Sequence, residues 1–423
     1  MTLPNTVEVC VDLAEFSDPL PMGSLRRQPS GRSGDIFSFD YHQAWLRRTE
    51  AFAFDPDLAL VSGAQYPAAK RASFGIFLDS CPDRWGRVLM QRRENLRARA
   101  DQRAPSALGE WDFLLGVHDE TRLGALRFRA GPDAPYIDND PIRAAPPLTS
   151  LAALQSASLN FETHVEEEAH PEYAQWLAQL FAPGTSLGGA RPKASIRDES
   201  NALCIAKFPS RNDTRDVGAW EIVAHRLAAR AGIDVPDVRA IKLGDSTYTT
   251  FLARRFDRSD GGRRRAFVSA MTLTQRTDGE PGASYLELVD LLQSRGAHTT
   301  RDCEELFRRV LFNILIHNTD DHLRNHGFFI GPEGIELSPA YDMNPSIERT
   351  HLSLAINEHD TACDVSIAMD ARQDYGLSAP RAARILQEVS SGIADWKSEA
   401  TLLAIPKPEQ DLMRAAFFAT AIA

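Results

Sequence analysis

The apolar run "VLFNILI" (310–316) passes straight into "HNTDDHLRN" (317–325), which holds two aspartates, two asparagines and two histidines in nine positions. The run predicts a buried helix, and the polar stretch predicts that the helix stops there. Side chains that seek water, protons or a metal cannot simply continue into a core. Any fold for this chain must therefore hold a polar loop at the end of a core helix.

The 423 residues exceed one ordinary core and suggest two or three packed units. With 43% hydrophobic and 25% charged residues, the composition is that of a globular protein. A formal net charge of −11 argues against broad binding of nucleic acid, which needs a basic surface to release counterions. One local basic stretch, "QRRENLRARADQR" (91–103), is either a contact patch or a solvated helix face. The five cysteines are scattered and form no CxxC pair, which fits a reducing cytosol better than a disulfide or zinc framework. The start "MTLPNTVEVCVDLAEF" has no basic flank, so no secretory signal is expected. No stretch approaches the roughly 20 apolar residues of a membrane span. A cytoplasmic protein without a membrane partner is the expectation.

"VEVCVDL" alternates as a half-buried strand does, and "GDIFSFDY" reads as another. "CPDRWGRVLMQRRENLRA" begins a helix with Pro82 in its first turn. The segment 131–150 carries five prolines and is read as a linker. A helical pattern spans 151–181, followed by the Gly-rich "TSLGGARPKASI" and the strand "NALCIAKFPS". Period two puts Leu203, Ile205 and Lys207 on one strand face. "DVGAWEIVAHRLAARAG" has an aspartate at its N-cap, apolar residues at Trp220, Val223, Leu227 and Ala231, and a closing glycine. Beyond about 280 the chain is mostly helical, with short strands at "GFFI" and "GIELSPAYDM".

Three features carry chemistry. The two glycines of "TSLGGARPKAS" allow a turn that aims N–H groups at an anion, with Lys193 and Lys207 downstream to supply charge. The stretch lacks the Walker pattern, and an ordinary turn is the competing reading. Lys207, on a partly apolar face, needs a partner or a route to solvent, and Glu221 on the next helix is a candidate. Asp320 and Asn325 lie five residues apart, and Asp342 follows seventeen residues later. Phosphoryl transfer needs a carboxylate to orient the attacking hydroxyl and oxygen ligands for Mg²⁺, and the kinase pattern D-x-x-x-x-N has this spacing. Two other readings stand beside it. His322 and His326, four apart, suit zinc on a helix but lack the glutamate of H-E-x-x-H. Asn318, Asp320 and Asp321 could also be simple caps.

Together "SLGGARPKAS", "AKFPS", "FLARRFDR", "NILIHNTDDHLRNHGFF" and "LSPAYDMNPS" resemble the HipA family of bacterial Ser/Thr protein kinases, the toxins of toxin–antitoxin modules. "GDIFSFDYHQAWL", "FDPDLAL" and "FGIFLDSCPDRWGRVLM" resemble its smaller subdomain, so the likeness covers nearly the whole chain. The resemblance implies an α+β fold of the divergent protein-kinase type related to phosphoinositide kinases. It divides the chain into an N-terminal subdomain (1–145), a strand-rich lobe with the Gly-rich loop (146–260) and a helical lobe (261–423). It implies ATP and Mg²⁺, with Asp320 as catalytic base, Asn325 and Asp342 on the metal, and Lys207 on the phosphates. Gly188, Gly189 and Ala190 would lie over those phosphates, and Phe256 in the hinge beside the adenine, with Arg254 an unusual neighbour there. Ser186 matches the family's autophosphorylated serine, whose dianionic phosphate would inactivate the site. Implied partners are a HipB-like helix-turn-helix antitoxin, operator DNA through that antitoxin, and a translation component, an aminoacyl-tRNA synthetase, as substrate. The alternatives are a catalytically weak member acting as corepressor and a kinase of a soluble small molecule.

Overall fold

Alternating side chains become a four-stranded antiparallel sheet near the N-terminus, in the order β3-β2-β1-β4. Its strands are β1 (Thr6–Val11), β2 (Leu20–Pro29), β3 (Asp35–Tyr41) and β4 (Leu126–Arg129). In the computed structural model, which describes residues 3–30, 34–140, 144–165, 167–184 and 191–417, β3 keeps the expected alternation, with Phe37, Phe39 and Tyr41 inward. β1 does not. It lies between β2 and β4, and all five residues from Val7 to Val11 are buried. Central strands covered on both faces lose their polar side, and Glu8 is tolerated there because Arg129 pairs with it.

Contacts gather into two units. The first is Met1–Asp213 with Leu243–Asp245 and Leu252–Val268, and the second is Thr214–Lys242 with Ser246–Phe251 and Ser269–Ala423. No helix among the described residues is long and apolar enough to cross a membrane.

In the first unit the helix Arg84–Ala100 starts after Asp83, so Pro82 precedes the cap instead of entering the first turn. The arginines of 91–103 are largely spoken for. Arg92 and Arg99 pair with Glu168, Arg103 with Glu94, and Arg93 lies over the Phe181 ring at 3.1 Å. This is the solvated, ion-paired face rather than a free basic patch. The proline-rich stretch is pinned as well: Ile137 N–H donates to Phe128 O at 2.8 Å and Arg197 N–H to Pro146 O at 2.8 Å. The helical pattern of 151–181 is two helices, Leu151–Thr163 and Tyr173–Gly184, because Pro171 and the turn before it interrupt the backbone ladder. Strands β5 (Lys193–Arg197) and β6 (Leu203–Lys207) form an antiparallel pair.

The second unit is built on the helix Thr299–Leu315, where twelve residues are buried. Two of them are arginines with defined partners: Arg308 donates to Ala231 O at 2.8 Å and Arg309 to Ser338 O at 2.8 Å. The helix Val217–Arg230 begins as its sequence says, with Asp216 accepting from Ala219 N–H at 3.0 Å. Asp216 also accepts from the Thr249 N–H and hydroxyl, at 2.9 and 2.7 Å. This draws the Thr249 backbone so close that a Cβ on Gly218 would meet its carbonyl oxygen at 2.1 Å. A hairpin, Gly327–Gly331 with Gly334–Leu337, follows the polar loop.

Candidate active site

The long helix ends as its side chains require. His317 takes φ +49°, in the left-handed region. Its N–H donates to Ile314 O at 3.2 Å and the Asn318 N–H reaches back to Asn313 O at 2.9 Å, the paired bonds of a Schellman cap. Few residues other than glycine and asparagine stop a helix this way, so a histidine here gave no sequence signal. Burial lowers the His317 pKa and favours its neutral form.

Past the cap the polar residues divide into two sets. Asn318, Thr319, Asp321 and His326 are buried. Asp321 Oδ2 alone accepts three hydrogen bonds, from Tyr285 OH at 2.6 Å, Asn313 Nδ2 at 2.8 Å and His326 Nε2 at 2.8 Å. Asn313 Oδ1 in turn accepts from Asn318 Nδ2 at 3.1 Å. Burial, then the Asp321 carboxylate, push the Tyr285 phenol well above its ordinary pKa, so it stays a donor. With Nε2 of His326 committed to Asp321, and no group of three His, Cys, Asp or Glu among the described residues placed to hold a metal, the zinc reading has no geometry behind it.

Asp320 is left outside this frame. Its side chain is 85% exposed, and among the described residues Arg349 pairs with it at 3.8 Å. Asn325 closes the loop by donating from Nδ2 to Asp320 O at 3.4 Å. The amide oxygen of Asn325 makes no hydrogen bond among the described residues.

Asp342 stands in a second loop laced to the first. On either side of it Tyr341 OH donates to Arg324 O at 2.6 Å and Asn344 N–H to Asn318 Oδ1 at 3.2 Å, and further on Ser346 N–H reaches His317 O at 3.1 Å. Asp342 itself adopts φ +59°, a conformation that aspartate tolerates better than most residues but that still needs surrounding bonds to hold it. Thus Asp320, Asn325 and Asp342, separated in sequence, lie on two loops stitched together by hydrogen bonds. An amide oxygen and a carboxylate are the hard donors that suit Mg²⁺, so the residues present fit that ion.

Lys207 and Phe256 belong to the first unit. Lys207 is half-buried at the end of β6, on the face of Leu203 and Ile205, while the opposite face, Cys204 and Ala206, is the fully buried one. Lys193 faces it in register across the pair and is only 4% exposed. Residues paired in register across antiparallel strands leave the sheet on the same face, so both lysine side chains share it. Phe256 is half-exposed, its ring 5.9 Å from that of Phe267. Ser186, Gly188, Gly189 and Ala190 lie outside the described residues. Glu221, in the second unit, is buried at 2% exposure.

Sequence reasoning missed Asn313, Tyr285 and Arg349. Asn313 is the one polar residue within the apolar run, which was its signal. Tyr285 and Arg349 have none, since they approach the loop only through the fold.

Comparison with known proteins bears on the family and the fold. The model of the HipA-like C-terminal domain matches residues 185–396, half of the chain. A relative from Shewanella oneidensis, the serine/threonine-protein kinase toxin HipA, is 26% identical over 229 residues, 47% of this chain and 52% of that protein. Toxin YjjJ of Escherichia coli is 25% identical over 237 residues, 54% of this chain and 52% of that protein. The chain thus spans about half the length of the curated relatives it matches. Among solved structures, HipA in the Shewanella oneidensis complex of HipA, HipB and operator DNA superposes with a TM-score of 0.62 at 17% identity, covering 97% of this chain and 94% of that one. That likeness shows a shared α+β fold. The chain belongs to the HipA family.

Proposed function

We propose that this protein is an ATP- and Mg²⁺-dependent serine/threonine protein kinase. The observation that carries the reading is the split between neighbours: Asp321 is buried under three hydrogen bonds while Asp320 faces solvent, where a substrate hydroxyl can reach it. Asp320 accepts the proton of that hydroxyl as its oxygen bonds to the γ-phosphorus and the bond to the bridging oxygen of ADP breaks. Asn325 and Asp342 would hold Mg²⁺, which when bound would neutralise charge on the phosphate oxygens. Lys207 contacts the phosphates, with Gly188, Gly189 and Ala190 over them and Phe256 beside the adenine. Ser186 is the site of self-inactivating phosphorylation.

The family and the HipA–HipB–DNA complex of its structural relative support a HipB-like helix-turn-helix antitoxin as partner, with operator DNA bound mainly through it. The family resemblance supports a translation component as substrate, an aminoacyl-tRNA synthetase, and growth arrest as the result.

The test is mass spectrometry of the purified chain after incubation with Mg²⁺-ATP, beside Asp320→Asn. Phosphate on Ser186 in the wild type and none in the variant is the expected result. No phosphate on either protein, together with no measurable ATP binding, would sink the reading in favour of a corepressor without kinase activity.

A further inference from the structure

Arg349 is a side chain that the fold brings to Asp320 and that the reaction above leaves without a task. Its Nη1 stands 3.8 Å from Asp320 Oδ1, and 65% of the side chain is exposed. That distance is too long for a hydrogen bond, and an exposed ion pair of this kind adds little to stability. Among the described residues the guanidinium makes no other ion pair or hydrogen bond, so its N–H groups are open to a ligand. The arginines that serve the fold look different. Arg308 and Arg309 are buried, and each donates to a backbone carbonyl at 2.8 Å.

The backbone that carries Arg349 is far less free than its side chain. It is tied to the polar loop on both sides. Before it, Asn344 N–H donates to Asn318 Oδ1 at 3.2 Å and Ser346 N–H to His317 O at 3.1 Å; after it, Ser353 Oγ donates to Thr319 O at 2.9 Å. The acceptors belong to His317, Asn318 and Thr319, the residues immediately before Asp320. The neighbouring Glu348 is engaged elsewhere, accepting at 3.2 Å from both Nη1 and Nη2 of Arg215. The fold thus delivers a cation to the exposed carboxylate and leaves it unsaturated there.

A hydroxyl bonded to Asp320 has its oxygen about 3 Å from the carboxylate, and the phosphorus it attacks lies about 3–3.5 Å further on. A guanidinium already beside that carboxylate reaches the phosphoryl oxygens by turning its own side-chain torsions. We propose that Arg349 is a further catalytic residue, its guanidinium bonded to the oxygens of the phosphoryl group during transfer. The proposal rests on the kinase reading of Asp320. In the step, the serine or threonine oxygen forms its bond to phosphorus and the hydroxyl proton passes to Asp320. The bond from phosphorus to the bridging oxygen breaks, and its electron pair leaves with ADP. Arg349 keeps its protons throughout. It contributes positive charge and a fixed fork of donors to the equatorial oxygens, over which the charge of a loose transition state is spread.

The experiment compares the wild type, Arg349→Ala and Arg349→Lys as full chains. Self-phosphorylation at saturating Mg²⁺-ATP is timed by mass spectrometry, and calorimetry gives the affinity for Mg²⁺-ATP and for Mg²⁺-ADP with aluminium fluoride, a mimic of the phosphoryl group in transfer. Arg349→Ala is expected to slow transfer about 10²-fold or more and to weaken the aluminium fluoride complex, with ATP affinity within about threefold of the wild type. Its urea midpoint stays at the wild-type value, because the side chain is exposed. Arg349→Lys, which keeps the charge and loses the fork, falls between. Free guanidinium restores part of the rate of Arg349→Ala, which the loss of a merely structural contact would not allow. Transfer by Arg349→Ala at or above the wild-type rate overturns the proposal and leaves the kinase reading standing. So does a slowed variant whose ATP affinity falls by the same factor. Where the wild type binds ATP without modifying itself, the aluminium fluoride affinities decide, and equal values in wild type and Arg349→Ala overturn the proposal. A wild type that neither transfers phosphate nor binds ATP overturns the kinase reading and the proposal together.

Discussion

Asp320 and Asp321 share a chemistry and a peptide bond, yet one faces solvent and the other is buried under three hydrogen bonds. Removing the exposed carboxylate costs the fold little. Asp320→Asn should change stability to urea by less than about 0.5 kcal/mol while cutting turnover on a protein substrate by about 10²-fold or more, the usual weight of a general base. Asp321→Ala should do the reverse of the first half. It strands the Tyr285 hydroxyl proton and His326 Nε2 in the interior and leaves Asn313 Nδ2 only its 3.3 Å bond to Tyr285 OH, and a loss of about 3 kcal/mol or more is expected. Urea titrations of the two variants side by side decide it, and equal stabilities would mean that the three bonds do not frame the loop. The letters "DD" announce two carboxylates without saying which one the core takes. That choice belongs to the left-handed His317, whose cap turns the chain so that only the second aspartate meets Asn313 and Tyr285.

Among the elements, the helix Val217–Arg230 shows a propensity rule losing to packing. A glycine within a helix is about 1 kcal/mol worse than alanine, so Gly218→Ala ought to stabilise. Here the new Cβ would lie 2.1 Å from the Thr249 carbonyl oxygen, which Asp216 holds in place by two bonds to the same residue. Backbone held that way cannot give without breaking the cap, and overpacking of this kind costs about 1–3 kcal/mol. Thermal unfolding should therefore show Gly218→Ala below the wild type, and a raised midpoint would refute the contact. The N-cap at Asp216 was legible because capping is local. The second use of the same carboxylate, on Thr249, was not.

At the scale of the molecule, the two units that the contacts define cut through the middle of the three parts seen in sequence, putting 214–242 and 246–251 in the second unit, and we keep the three-part division as a proposal. The first unit has a built-in response to acid. Burial alone would raise the Asp257 carboxyl, but the guanidinium groups of Arg255 and Arg258 outweigh it and hold it well below the usual carboxylate range. With the folded pKa below the unfolded one, its stabilising share is full above about pH 4 and drains away as the pH falls toward the folded value. Unfolding followed between pH 5 and 2 should show a falling midpoint that is shallower in Asp257→Asn. Matching slopes would place the acid response in other carboxylates.

The sequence alone determined the chemistry on offer: an oxygen-donor set at kinase spacing, a strand lysine, a core helix that must end at the polar stretch, and motifs sufficient to mark the family. Those are properties of residue type, order and local backbone preference. Only tertiary structure decided which groups were spent on the fold and which stayed exposed. Asp321 and His326 went to the frame, Arg255 and Asp257 to a buried clamp, and β1 to the middle of a sheet where its alternation disappeared. The reason is that burial and hydrogen-bond partnership are set by residues distant in the chain, and no window of sequence contains them.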